Sequence, residues 1–112
     1  MPHQTAAVER VFAALSDPTR LAVVERLSTG PATVSELARP FQMALPSFTQ
    51  HLGVLERCGL VRSRKLGRVR TYRLVPRRLE VAERWMAARR RNWETRLDRL
   101  DRYLETMEEN DK

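Results

Sequence analysis

Soft metal ligands are scarce in this sequence of 112 residues, which contains one cysteine and two histidines. A single cysteine cannot form an intramolecular disulfide, so the sequence fits a reducing compartment and a cytoplasmic location is expected. A transition-metal site needs three or four converging ligands, whereas His3, His51 and Cys58 are scattered along the sequence. We therefore expect neither a metal site nor a cofactor.

Long apolar runs and catalytic motifs are also missing. No stretch is apolar enough to insert into a membrane and no N-terminal signal is visible, so a membrane partner is not expected. The sequence has no glycine-rich phosphate loop, no nucleophile and base at a telling spacing, and no paired carboxylates beyond the background of a helix surface. We therefore do not expect an enzyme.

Positive charge is abundant and unevenly distributed, with a formal net charge of +7. Residues 31–76 hold eight basic and two acidic side chains. By contrast, residues 1–30 hold three basic and three acidic side chains, and residues 77–112 hold ten basic and nine acidic ones. Such a local excess favours a polyanion that docks on one face, because phosphate neutralisation supplies most non-specific affinity. Double-stranded DNA is the expected partner.

A chain of this length predicts one small domain over residues 1–112, and its N-terminal part predicts three helices. The first helix has an apolar stripe of Val8, Val11, Phe12 and Leu15. Asp17 and Pro18 form a start signal for the second helix, an acidic N-cap followed by proline. The buried side of the second helix is expected to carry Leu21, Val24 and Leu27. Thr33 and Glu36 predict a capping box that begins a short third helix.

A recognition helix is predicted over about residues 45–58, because Phe48, Leu52 and Leu55 form an apolar stripe at helical spacing. The other side is polar near its N-terminus, where such helices contact base edges in the major groove. The residues expected to read bases are Ser47, Thr49, Gln50 and His51. Gln50 is the sharpest candidate, since its amide can bind adenine through two hydrogen bonds. For His51, a partly packed ring at the helix edge and a pH switch remain open as alternatives.

A β-hairpin is predicted over about residues 61–74, where two short runs flank a turn that contains Gly67. The order of elements predicts a winged helix-turn-helix, a mostly α fold with a small hairpin (α+β), with a DNA-binding core over residues 8–76. No acidic residue lies between residues 57 and 79. The residues expected to contact the DNA backbone are Arg57, Arg62, Arg64, Lys65, Arg68 and Arg70. The alternative is an edge hairpin whose charge discourages aggregation.

One long C-terminal helix is predicted over about residues 79–109, which contain neither glycine nor proline. Its apolar residues Trp93, Leu97, Leu100, Leu104 and Met107 follow a heptad-like spacing. Such a seam needs a packing partner, and a second copy of the chain is favoured. The residues expected at this dimer interface are Val8, Phe12, Trp93, Leu97, Leu100 and Leu104. For Trp85, packing against its own domain and a contact with the second copy are equally open alternatives.

Three positions in the recognition helix or directly before it need separate comment. Ala44 offers no side-chain cap where the helix begins. Gly53 lies on the exposed side, where either the backbone approaches a phosphate closely or one contact is absent. Cys58 is either a small buried residue or a thiol whose oxidation loosens DNA binding.

Several short motifs between Val8 and Val75 resemble the ArsR/SmtB family of bacterial winged-helix repressors. The motifs are Ala14-Leu15-Ser16-Asp17-Pro18-Thr19-Arg20-Leu21, Ser35-Glu36-Leu37-Ala38, Gln50-His51-Leu52 with Val54-Leu55, Gly59-Leu60-Val61, and Gly67-Arg68 before Tyr72. The resemblance implies a homodimer that represses transcription by covering an operator, with the first and last helices at the interface.

The tail, with Trp85, Trp93-Glu94 and Leu97-Asp98-Arg99-Leu100, resembles a branch of that family often encoded beside START-like (SRPBCC) proteins. Many family members sense metals through cysteines near the short third helix or through acids and histidines in the last helix. This sequence has no cysteine in the former and no histidine in the latter. Metal sensing is therefore not expected.

Two functions of different classes fit these patterns. The favoured one is a sequence-specific DNA-binding regulator, a homodimeric repressor of an inverted-repeat operator. The alternative is a winged-helix interaction module that docks an acidic protein without specific DNA readout. Discrimination between an operator and a scrambled duplex separates them. The sequence identifies no small-molecule effector.

Overall fold

The computed structural model describes the backbone of residues 2–110 and the side chains of residues 6–110. Its elements are α1 (Pro2–Leu15), α2 (Pro18–Leu27), β1 (Ala32–Thr33), α3 (Val34–Ala38), α4 (Leu45–Arg57), β2 (Val61–Leu66), β3 (Val69–Leu74) and α5 (Pro76–Asn110). The chain forms two units, of which the first ends at Ala82 and the second begins at Glu83 within α5. No helix among the described residues has the length and apolar character needed to cross a membrane.

Local capping signals begin two of the helices as predicted. The Asp17 carboxylate accepts hydrogen bonds from the backbone N–H groups of Thr19 at 2.8 Å and Arg20 at 3.1 Å, and α2 follows. Thr33 and Glu36 form the predicted capping box of α3 with reciprocal bonds of 3.1 and 3.2 Å. Both caps satisfy backbone donors that the first helical turn leaves unpaired.

The predicted hairpin is confirmed as β2 and β3, which pair antiparallel from Val61 opposite Leu74 to Leu66 opposite Val69. Gly67 takes a positive φ of 62° in the turn, a conformation that glycine adopts without steric cost. The structure adds a third strand, since β1 pairs with β3 to give the order β1-β3-β2. Two residues are too short for a strand period, so the sequence pattern did not reveal β1.

The core of the first unit is built mainly from α1, α2, α4 and the sheet, with Leu37 of α3 and Ala82 of α5. The predicted stripe of Phe48, Leu52 and Leu55 is completely buried, which confirms the inward side of α4. The prediction for α2 was wrong at one position, because Leu21 is 43% exposed and Val23 is buried instead. Val23, Val24 and Leu27 lie on one side of α2, and Leu21 points away from it.

Helix α5 is uninterrupted, as predicted, and it begins three residues earlier than expected because Pro76 is well suited to a first helical position. The apolar seam of its second half is exposed, with Trp93 61% and Leu100 50% accessible. Phe12 on α1 is also exposed. Val8, which is also predicted at the dimer interface, is only 3% exposed in the single chain. Its place at an interface stays a prediction.

Candidate nucleic-acid interface

The first turn of α4 presents polar side chains to solvent. Ala44 is its N-cap and makes no side-chain cap, as predicted, and Pro46 lies in the first turn. Ser47, Thr49 and Gln50 are all exposed. The Thr49 hydroxyl donates to the Pro46 carbonyl oxygen at 3.0 Å. Ser47 and Gln50 remain accessible to an external hydrogen-bonding partner.

His51, the fourth residue expected to read bases, occupies a different environment. Its side chain is half-buried, and Nδ1 lies 3.1 Å from Nη1 of Arg20 and 3.7 Å from Oδ2 of Asp17. Since a guanidinium group can only donate, Nδ1 accepts this hydrogen bond. The structure therefore favours the alternative of a partly packed ring at the edge of α4.

Arg20 organises this contact, a role that its sequence pattern does not predict. Its Nε donates to the Ala14 carbonyl at 2.7 Å and its Nη2 donates to the Ala13 carbonyl at 3.3 Å. These carbonyls belong to the last turn of α1, where helices leave acceptors unpaired. One side chain from the first turn of α2 thus caps α1 and contacts α4 through His51. The one sequence signal for this role is the position of Arg20 in the first turn after the Asp17 cap.

The carboxyl group of Asp17 is electrostatically stabilised in this cluster. The backbone N–H of Arg20 lowers the pKa of Asp17 below its ordinary value, and desolvation opposes this effect. The N–H of Thr19 and the charge of Arg20 lower the pKa further, and a protonated His51 would act in the same direction. Asp17 is therefore a carboxylate at neutral pH that holds the start of α2 in place.

Gly53 provides room for the side chain of Arg57. A Cβ atom at Gly53 would lie 3.1 Å from Nη1 of Arg57, so the guanidinium group folds back along the exposed side of α4. The two residues are one helical turn apart. The space that the sequence analysis assigned to a phosphate or to a missing contact is thus occupied by Arg57.

The hairpin divides its basic residues between two faces. Side chains alternate along a strand, and residues directly opposite each other share a face. Arg62 lies opposite Arg73, and Arg64 lies opposite Thr71, which places three arginines on one face. Lys65 lies opposite Arg70 on the other face. Arg68 is exposed in the turn between β2 and β3.

A chain of hydrogen bonds connects the end of α4 to the hairpin. The Ser63 hydroxyl donates to a Glu56 carboxylate oxygen at 2.9 Å, and Nη1 of Arg70 donates to the Ser63 hydroxyl at 2.7 Å. Burial raises the pKa of the neighbouring Tyr72 hydroxyl, and the negative charge of Glu56 raises it further. The face with Lys65 and Arg70 is therefore fixed relative to α4. Sequence reasoning missed Glu56, because this contact depends on the tertiary fold.

No group of three or more histidine, cysteine, aspartate or glutamate side chains within the described residues is arranged to hold a metal ion. Cys58 is half-buried beside the core, and its Sγ donates to the Leu55 carbonyl at 3.3 Å. The side chain of His3 lies outside the described residues.

The sequence matches a family model described as a helix-turn-helix domain over residues 15–64. Two relatives show how far the similarity extends. The HTH-type transcriptional regulator Rv2034 of Mycobacterium tuberculosis is 47% identical over 61% of this chain and 64% of its own length. The transcriptional repressor SdpR of Bacillus subtilis is 30% identical over 70% of this chain and 88% of its own length. The aligned segment thus covers a little under two thirds of Rv2034.

Solved structures agree with this assignment. The crystal structure of the ArsR family transcriptional regulator RHA00566 is 50% identical, covers 84% of this chain and 94% of that chain, and superposes with a TM-score of 0.76. The homodimeric winged helix-turn-helix DNA-binding domain of Mb0332 from Mycobacterium bovis is 27% identical over 81% of this chain and 82% of that chain, with a TM-score of 0.61. The chain therefore belongs to the ArsR family of winged helix-turn-helix transcriptional regulators.

Proposed function

We propose that this protein is a homodimeric repressor of transcription that binds double-stranded DNA at an inverted-repeat operator. The observation that carries this proposal is the exposed polar start of α4 beside a cationic hairpin, with the two elements connected by Glu56, Ser63 and Arg70. Base readout and phosphate contacts are thereby presented by one rigid substructure. Membership of the ArsR family supports the same function.

In this mode, Ser47, Thr49 and Gln50 enter the major groove and contact base edges. His51 holds α4 against α1 and α2 through Arg20, and its effect on readout is mainly one of position. Lys65, Arg68 and Arg70 meet phosphates or the adjacent minor groove. The other cations assigned to the DNA backbone, Arg57, Arg62 and Arg64, contribute through long-range attraction and further phosphate contacts.

The proposed dimer uses the apolar seam of α5. Trp93, Leu97, Leu100 and Leu104 are all exposed in the single chain. Burial of such a seam against a second copy removes apolar surface from water, and Phe12 on α1 adds a further exposed apolar side chain. Two-fold symmetry then requires two half-sites about one helical turn apart on the DNA. The Mb0332 domain, described as homodimeric, supports this assembly.

Fluorescence anisotropy tests the proposed function directly. The purified protein is titrated against the duplex upstream of its own gene and against a scrambled duplex of the same composition, each at several salt concentrations. We expect a difference in affinity of about 10³ between the two duplexes. Equal, weak binding that disappears with salt would contradict operator recognition and favour docking of an acidic protein on the basic hairpin.

We further propose that regulation does not involve a metal and that the chain belongs to the branch often encoded beside START-like (SRPBCC) proteins. The tail residues Trp85 and Trp93 and the lack of cysteine in α3 support this placement. Zinc or arsenite at concentrations that release metal-sensing relatives from DNA should leave operator affinity unchanged. A metal-dependent loss of affinity would contradict this proposal.

A further inference from the structure

An open cleft of about 390 Å³ lies between the C-terminal half of α1, the first turn of α2 and the second half of α4. This volume falls at the lower end of the range for small-molecule sites, about 300–1,000 Å³. Three arginines contribute to its lining: Arg10, Arg20 and Arg57. The cleft is therefore bordered by the recognition helix α4 and by α1 and α2.

The three arginines concentrate positive charge at this place, and the Asp17 carboxylate near Arg20 balances it only in part. None of them forms a salt bridge within residues 6–110, and no acidic side chain lines the cleft. Arg20 is also preorganised, because three hydrogen bonds fix its guanidinium group against Ala13, Ala14 and His51. A guanidinium group has five N–H donors, so Arg20 retains donors for an anion.

The floor of the cleft is apolar. Its remaining lining consists of Ala13, Ala14, Val54 and Cys58. The small side chains of Ala13 and Ala14 leave space between α1 and α4. A ligand that complements this lining combines one anionic group with a short apolar body.

The cleft also opens away from the proposed dimer contact of α1. Arg10 and Phe12 are two residues apart, so their side chains leave the helix about 160° from each other. Phe12 is the exposed apolar residue assigned to the partner. A second copy that packs on Phe12 therefore leaves the side of Arg10 accessible.

We propose that this cleft binds a small organic anion with an apolar body, of the class of medium-chain carboxylates, and that the bound ligand weakens DNA binding. The carboxylate pairs with Arg10, Arg20 and Arg57, and its apolar chain covers Ala13 and Val54. Because Arg57 is also assigned to the DNA backbone, its pairing with the ligand removes one cation from the DNA. The effector role rests on the proposed function, whereas ligand binding itself does not.

Octanoate is the probe. Octanol is a control that keeps the apolar chain without the carboxylate, and acetate is a control that keeps the carboxylate without the chain. Cys58 is the only cysteine in the chain, so its alkylation by neutral iodoacetamide reports on this cleft. We expect octanoate to slow alkylation in a saturable manner with a midpoint below about 1 mM, and each control to require at least about tenfold more. Shifts of the Ala13 and Val54 amide signals in ¹H–¹⁵N spectra provide a second readout that does not depend on thiol reactivity.

Two variants distinguish the contribution of the arginine charge to binding from that of the open volume of the cleft. Arg10→Gln should weaken octanoate binding about fivefold to tenfold, and Ala13→Leu should abolish it by filling the floor while all three charges remain. Arg91→Gln is the matched control, because Arg91 is an exposed arginine of α5 that does not line the cleft. This variant should bind octanoate as the native chain does. Equal protection by octanol, equal effects of Arg10→Gln and Arg91→Gln, or no spectral shift at about 10 mM octanoate would each overturn the site.

The regulatory role is measured separately by anisotropy on the operator duplex. Saturating octanoate should weaken operator binding by about threefold or more in the native chain and not in Ala13→Leu. If octanoate binds and operator affinity is unchanged, the effector role is overturned while the site stands. If the chain recognises no operator, the proposed function fails, and the Cys58 measurement still decides whether the site exists.

Discussion

The guanidinium group of Arg20 lies 3.1 Å from Nδ1 of His51, and this contact joins the first turn of α2 to α4. The same guanidinium group pairs with two carbonyls at the end of α1. Three helices thus meet at one side chain. The orientation of α4 in the first unit therefore depends on a residue that lies outside α4.

Arg20→Ala should destabilise the protein by about 1–3 kcal/mol, because the Ala14 carbonyl and Nδ1 of His51 each lose the donor that Arg20 provides, whereas the Ala13 carbonyl keeps Ser16 as a donor. Urea denaturation followed by circular dichroism measures this change. Arg39→Ala is the matched control, since Arg39 is an exposed arginine whose side chain makes no hydrogen bond or salt bridge within the described chain. Equal stability of the two variants would contradict a structural role for Arg20.

Asp17→Asn separates the charge of the α2 cap from its hydrogen bonds, because asparagine also caps helices well. The folded state lowers the pKa of Asp17 below 3.8, mainly through the backbone N–H of Arg20. A lowered pKa contributes stability above the unfolded-state value, and this contribution is lost as the pH falls through the folded-state value. The native chain should therefore be more stable than Asp17→Asn at pH 7, and the difference should decline once the pH falls below the unfolded-state value and disappear below the folded-state pKa.

Urea midpoints measured between pH 2 and pH 7 check this dependence on Asp17. Asp98→Asn, which replaces an exposed carboxylate in the second unit, serves as the control for the loss of one negative charge. A stability difference for Asp17→Asn that persisted unchanged into acid would mean that the carboxylate charge is not responsible.

Much of the first unit follows from local rules in the sequence. The spacing of Phe48, Leu52 and Leu55 predicted the buried side of α4, and the Thr33 and Glu36 capping box predicted where α3 begins. Gly67 predicted the hairpin turn. These features depend on residues within a few positions of each other, so a sequence pattern is sufficient to find them.

Features that depend on distant pairing were not predictable in the same way. β1 exists because Ala32 pairs with Tyr72, forty positions away in the sequence. The contact of Arg20 with His51 and the bond from Ser63 to Glu56 likewise require the folded arrangement of several elements. Leu21 and Val23 are both apolar, and only the tertiary fold decides which of them faces the core.

Two glycines should respond in opposite directions to alanine. Gly53 is inside α4 and meets only the flexible end of Arg57, so Gly53→Ala should raise the free energy of unfolding by about 0.5–1 kcal/mol through helix propensity. Gly59 has a φ of 82°, and a Cβ there would lie 2.9 Å from Nε of Arg78. Gly59→Ala should therefore lower the same free energy by about 1–2 kcal/mol. Denaturant unfolding of both variants provides the test, and a shift of the same sign in both would contradict these assignments.

Charge in the α5 seam should disrupt the proposed dimer. Leu100→Asp places a carboxylate in the centre of the seam, where a partner would bury it without a counter-ion. Sedimentation velocity should show a monomer for this variant at concentrations where the native chain is dimeric. Arg99→Asp, at the neighbouring position outside the seam, should remain dimeric. A dimer that survives Leu100→Asp would exclude this seam as the interface.

The roles proposed for α4 and the hairpin predict two distinguishable losses of DNA binding. Gln50→Ala removes an exposed amide that reads a base, so it should cost about 1–3 kcal/mol on the operator and relax preference at one or two base pairs. Arg68→Ala removes a phosphate contact, so it should weaken operator and scrambled duplexes alike and reduce the slope of affinity against salt by about one ion. Anisotropy titrations on both duplexes across salt measure these effects. If Gln50→Ala also weakened both duplexes equally, base readout would have to be assigned to Ser47 or Thr49 instead.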